Sequence, residues 1–183
     1  LKFDRADLRD VLERASARET AARVAAGTLA RALLSSAGIA VASHVFRVGQ
    51  AGTSDPSRVT FEQARAIPDD SPLHVVDRQA EQEMIAAIDR AKAAGDTLGG
   101  AFEVIARGMP AGVGSYTQWD AKLDGRLAYA LMSIPAIKGV GIGDGVAAAS
   151  RPGSEVHDEI VPGATPTGIA RPTNRAGGRE GGV

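Results

Sequence analysis

Small and apolar residues dominate the stretch ARETAARVAAGTLARALLSSA, from Ala17 to Ala37, and only scattered polar or charged residues interrupt them. Such a run favours helix. Its start is marked by Ser16-Ala17-Arg18-Glu19, which has the form of a capping box: Ser16 accepts from the Glu19 amide and the Glu19 side chain reaches back. Gly38 stands where a left-handed C-terminal cap is expected. Small side chains cover almost the whole circumference, so the helix is expected to lie buried between layers. The next segment, IAVASHVFRVG, alternates as a strand does, and QAGTSDPSRVTFEQARAIPDDSPLHVVD reads as irregular connection around a short helix.

From Asp77 the pattern changes. Ala80, Met84, Ile88 and Ala91 recur at helical spacing among charged residues, with Gly95 after the end, which predicts an amphipathic helix. AFEVIARG follows as a strand and MPAGVGS as a loop, and Leu123, Leu127, Ala130, Leu131 and Ile134 mark a further helix. AIKGVGIGDGV is expected to be a glycine-rich strand, and the sequence beyond Ala149 is rich in Gly, Pro, Ser and Thr. Helices and strands interleave without any requirement for parallel pairing, so the expected class is α+β, with long helices packed on sheets in one domain over residues 1–183.

Composition narrows the chemistry. The chain of 183 residues is 44% hydrophobic and 23% charged with net charge -1, which implies no bulk attraction to nucleic acid or to an anionic membrane. The absence of cysteine excludes thiolate metal ligands and a cysteine nucleophile, and His44, His74 and His157 show no metal-ligand spacing. Surface or structural roles are expected for all three. No apolar run approaches the roughly 20 residues of a membrane span, and a cytoplasmic location is expected. Leu1 at the start and GGREGGV at the end suggest a piece of a longer protein.

The most suggestive pair is Arg14 and Arg18, which bracket the start of the first predicted helix, where free amides and the helix dipole already favour an anion. Two guanidiniums there suit a phosphate or carboxylate. The alternative is that they pair with Asp10, Glu13 or Glu19 on a solvated face. Gly139, Gly141, Gly143 and Gly145 miss the dinucleotide fingerprint, because the third glycine comes one residue early, and they suit a close approach of another backbone or a flat ligand. Asp77, Asp120, Asp124 and Asp144 read as a solvated face, and Tyr116 and Trp119 as packing residues.

Five segments carry a more specific signal. ARETAARVAAG, the stretch from SPLHVVD to AKAAGDTLGG, GMPAGVGSYTQWDAKLDGRLAYALMSIPAIKGVGIGDG, GSEVHDEI and TNRAGGREGGV resemble consecutive segments of chorismate synthase, closest to actinobacterial-type members. The resemblance implies a sandwich of helices between antiparallel sheets and a homotetramer when full length. It also implies a lyase reaction of the shikimate pathway: conversion of 5-enolpyruvylshikimate 3-phosphate to chorismate and phosphate by 1,4-trans elimination. Reduced FMN is the implied cofactor, without net redox change, and NADP belongs to the chemistry of members that reduce their own flavin.

By the same resemblance, Arg14, Ala15 and Ser16 match an FMN-contacting segment, Arg18 an arginine that meets the anionic substrate, Pro135 and Ala136 a pair lying along the flavin, and Gly181 a glycine that contacts FMN. The family's catalytic histidines fall outside this chain, as do its later flavin-phosphate segment and C-terminal arginine and aspartate. Within the chain, Gly141 replaces a usual glutamate, Val146 a phenylalanine and His74 an arginine. The expected function is chorismate synthase, with this chain its central part. The alternative is a truncated, non-catalytic flavin- or anion-binding remnant.

Overall fold

The computed structural model describes residues 2–15, 17–53, 55–165 and 167–179. Its elements run α1 (Arg9–Ala15), α2 (Ala17–Ser36), β1 (Ala40–Val48), β2 (Ala51–Gly52), α3 (Phe61–Arg65), α4 (Arg78–Ala93), β3 (Gly100–Arg107), α5 (Leu123–Met132), β4 (Val161–Pro162) and β5 (Ile169–Ala170). Short 3-10 turns lie at Pro56–Arg58, Gly145–Ser150 and Gly153–Glu155. The class is α+β and every strand pairing is antiparallel. The chain divides into two compact units, one of residues 31–109 and one of residues 1–30 with 110–183.

The 31–109 unit is a three-stranded sheet in the order β2-β1-β3. Alternation along β1 puts Ala42 and His44 on its buried face, where Ala42, Phe61 and Ala64 form a small core with Ala40, Val59 and Ile105 against it. Thr60 sets the entry angle of α3 through a capping box: its hydroxyl accepts from the Gln63 amide at 3.2 Å and the Gln63 side chain accepts from the Thr60 amide at 2.8 Å. Asp77 caps α4 by accepting from the amides of Gln79 and Ala80. At the other end Gly95 is left-handed and the Asp96 amide reaches the Ala91 carbonyl at 2.9 Å, the Schellman closure. Met84 is fully buried beneath Gly52. There φ is +100° and an added Cβ would lie 2.3 Å from the Phe46 carbonyl oxygen, so only glycine fits.

Two carboxylates organise this unit. His44 Nε2 meets Glu103 Oε2 at 2.9 Å directly across the β1–β3 pair, with His44 buried. Glu81, in the first turn of α4, accepts from the Ser71 hydroxyl at 2.5 Å and the Leu73 amide at 3.0 Å. That fastens the segment whose His74 carbonyl accepts from the Val45 amide.

The other unit holds α1, most of α2, α5 and the small β4–β5 hairpin. Here three expectations are corrected. First, α2 is not buried between layers: no described side chain along it is buried, and Val24, Leu29 and Leu33 are exposed. Alanine and glycine on every side leave no single apolar stripe to select an inward face. Second, residues 136–146 are not a strand. Ala136, Gly143 and Gly145 have φ of +69°, +60° and +54°, the Gly145 amide closes a turn onto Ile142, and a 3-10 turn begins at Gly145. Positive φ at such intervals is incompatible with extended pairing. Third, Tyr116 and Trp119 are exposed, in the loop before α5.

Candidate functional site

Arg14 and Arg18 flank the junction of two helices. Arg14 lies in the last turn of α1, where a cation complements the helix dipole, and Arg18 lies in the first turn of α2, where it does not. α1 itself was not expected from the sequence, and it gives Arg14 a local reason to be there. Arg18 Nη1 pairs with Glu13 Oε2, and both side chains are substantially exposed. An exposed pair of this kind is worth about 0–1 kcal/mol, little enough for a bound anion to displace Glu13. Arg14 has no ion pair among the described residues. Ala15 ends α1. Ser16, with its expected cap, and Gly181 lie outside the described residues.

Pro135 and Ala136 occupy the middle of a tight turn: the Ile137 amide bonds to the Ile134 carbonyl at 3.2 Å, and Ala136 has φ of +69°. Proline followed by positive φ is the pattern of a type II turn, whose third position normally takes glycine. An alanine held there is locally strained, and such outliers concentrate at ligand-contacting positions.

A residue that sequence reasoning missed joins these two places. Arg23, on α2, donates from Nη1 to Ser133 Oγ at 2.7 Å, and Ser133 Oγ donates to the Ala130 carbonyl at 2.6 Å. Its Nε pairs with Glu19 Oε1. One guanidinium thus ties the helix that bears Arg18 to the C-terminal end of α5, two residues before Pro135. The spacing of four between Glu19 and Arg23 was a readable helical pair. Nothing local pointed to Ser133, 110 residues away.

The glycine-rich C-terminal segment has its own anchor. Asp158, buried, accepts from Thr173 Oγ1 at 2.5 Å, from the Arg175 amide at 2.8 Å and from the Ala176 amide at 3.0 Å. Burial pushes its carboxyl up, but these donors and the charge of Arg171 outweigh that, and it is held below its ordinary value. The Arg175 carbonyl accepts from the Asp144 amide at 2.7 Å. Asp144 itself pairs with Arg151 and is largely covered, Asp77 is the α4 cap, and Asp124 lies 3.6 Å from Arg179. Asp144 is therefore a covered structural partner and not part of the solvated face expected of it, whereas Asp77 and Asp120 are exposed and Asp124 is partly so. Arg179, whose side chain is only 10% exposed, keeps its Nε buried with no hydrogen-bond partner among the described residues.

This donor set fits a flat, anionic cofactor. Arg14 and Arg18 offer exposed guanidiniums, Arg179 offers a buried N–H with no acceptor among the described residues, and Ala15, Ala136 and Gly178 are exposed. Among the described residues no group of His, Cys, Asp or Glu could hold a metal ion, and no helix is long and apolar enough to cross a membrane.

Comparison with known proteins gives matches over the whole chain. The profile of the family described as chorismate synthase matches residues 1–183. A chorismate synthase of Moorella thermoacetica is 55% identical over 184 residues, and one of Bacillus cereus, named chorismate synthase 2, is 50% identical over 183 residues. Each alignment covers 100% of this chain and 47% of the relative, so the chain spans about half the length of these curated relatives. A crystal structure of chorismate synthase superposes with a TM-score of 0.89 at 46% identity, covering 99% of this chain and 56% of that one.

Proposed function

The chain belongs to the chorismate synthase family, and on that premise we propose that the whole protein is a phosphate-eliminating lyase converting 5-enolpyruvylshikimate 3-phosphate to chorismate. The observation that carries the reading is the family match over all 183 residues. The Arg23–Ser133 bond supports it from the geometry, since it joins the helix of the proposed substrate arginine to the turn of the proposed flavin pair.

Arg18 binds the anionic substrate, exchanging its exposed pairing with Glu13 for a phosphate or carboxylate. As the allylic carbon–oxygen bond breaks, phosphate leaves with the bonding electrons and a proton leaves the carbon at the far end of the system. A fixed guanidinium stabilises the charge gathering on the leaving group. Reduced FMN, when bound, supplies transient electron density without net redox change. By the family resemblance, Arg14, Ala15, Ser16, Pro135, Ala136 and Gly181 would hold it. No residue of this chain is assigned the proton-handling role. We take residues 1–183 as the central part of one family domain, in a homotetramer.

The test is cofactor selectivity. The whole protein should bind FMN more tightly than riboflavin by fluorescence quenching, because the phosphate and the ring both find partners. Equal affinities would remove the phosphate from the account.

A further inference from the structure

We propose that Asp158 is a positioning residue for the cofactor site, a single buried carboxylate that fastens the 173–177 loop against the 142–145 turn and so steadies two segments that neighbour, in sequence, the proposed flavin contacts Pro135, Ala136 and Gly181. The inference rests on the flavin reading given above.

Asp158 lies just before β4, yet all three of its acceptor contacts named above reach forward to residues 173–176. Oδ1 takes the Thr173 hydroxyl and the Arg175 amide, and Oδ2 takes the Ala176 amide. Arg171 adds a donor to the Asp158 carbonyl at 3.0 Å. The loop so held passes its order on: the Arg175 carbonyl accepts from the Asp144 amide, and Gly177 abuts Gly143, its own added Cβ falling 2.6 Å from the Gly143 nitrogen. Upstream of that turn in sequence stand Pro135 and Ala136, and downstream of the loop stand Arg179 and Gly181. Two part-buried amides and a hydroxyl converging on one ionised carboxylate make a firm joint, because the charge strengthens each bond and its loss strands each donor. Support of this kind holds a site to its working geometry without touching the ligand.

The test uses the whole protein with three substitutions. Asp158→Asn keeps the shape but puts an NH2 against the Ala176 N–H. Thr173→Val removes one donor and leaves the carboxylate intact. Thr173→Ser restores the hydroxyl. Hydrogen exchange at the Arg175, Ala176 and Asp144 amides should speed up about tenfold or more in Asp158→Asn, the scale of a lost bond to a charged acceptor. FMN affinity should fall by a similar factor under conditions where circular dichroism shows the variant still fully folded. Thr173→Val should shift both readouts the same way by less, and Thr173→Ser should restore both. Unchanged exchange would overturn the joint itself. Faster exchange with unchanged FMN affinity would overturn its role in positioning the cofactor. If the unsubstituted protein fails to bind FMN, the flavin reading falls and the positioning role falls with it, while exchange still decides whether the joint exists.

Discussion

Gly143 and Gly177 meet backbone to backbone: a Cβ on Gly143 would lie 2.6 Å from the Gly177 nitrogen and 2.0 Å from the Arg175 carbonyl oxygen. Neither position has room for a side chain, and both have positive φ. The glycine-rich run is thus spaced for close approach, as its composition suggested, although it is a turn and not a strand.

Gly143→Ala should destabilise the protein by at least about 1–2 kcal/mol, the cost of a side chain in the left-handed region, with the overlap on Arg175 added. Gly139→Ala is the matched control, since nothing lies within 4 Å of its added Cβ. Thermal unfolding checks both. Equal midpoints for the two variants would contradict the packing described.

Arg18→Ala should lower chorismate formation by about a hundredfold, because a charged contact to a developing anion is worth about 3 kcal/mol. Folding should be nearly unaffected, since the pair with Glu13 is exposed and worth about 0–1 kcal/mol. Steady-state assays with circular dichroism on the same samples separate the two effects. Near-normal turnover would return Arg18 to an ordinary surface pair.

Arg23→Ala should weaken FMN binding by up to about tenfold, the upper range for a partly exposed charged hydrogen bond, by releasing the end of α5 from α2. Titration calorimetry reads this directly. An unchanged dissociation constant would mean that the Pro135–Ala136 turn holds its place without the tie.

Stability should fall in acid, with a defined sign. The Ser71 hydroxyl, then the Leu73 amide, hold Glu81 below its ordinary value of 4.5, and Asp158 is likewise held below 3.8. In the window below those values the unfolded chain binds more protons than the folded one, so stability is full above it and drains as pH falls through the lowered pKa values. Urea midpoints at descending pH should show the loss, and Asp158→Asn should show less of it. A flat midpoint through the window would contradict the assigned contacts.

Periodicity made the regular elements legible. The stripe Ala80, Met84, Ile88 and Ala91 is α4, the alternation around His44 is β1, and Gly38 and Gly95 are the left-handed caps they promised to be. α1 escaped because seven residues of mixed charge carry too few turns for a pattern. The burial of α2 was misread because small side chains allow close cover without requiring it. At the site, Arg14 and Arg18 stood out because cations at a helix start are locally unfavourable. Ser133 and Asp158 did not, since their partners are distant in sequence and a lone serine or aspartate has no local signature of such contacts.

The most direct test is anaerobic turnover by the whole protein given 5-enolpyruvylshikimate 3-phosphate and chemically reduced FMN, with chorismate, phosphate and flavin absorbance followed together. Equal amounts of chorismate and phosphate are expected over many turnovers, with the flavin still reduced at the end. The 183-residue chain alone should form neither product, for want of the family's histidines, whose general acid–base role is typically worth about 100- to 10,000-fold. Failure of the whole protein to release phosphate, or oxidation of one flavin per product formed, would contradict the proposed reaction.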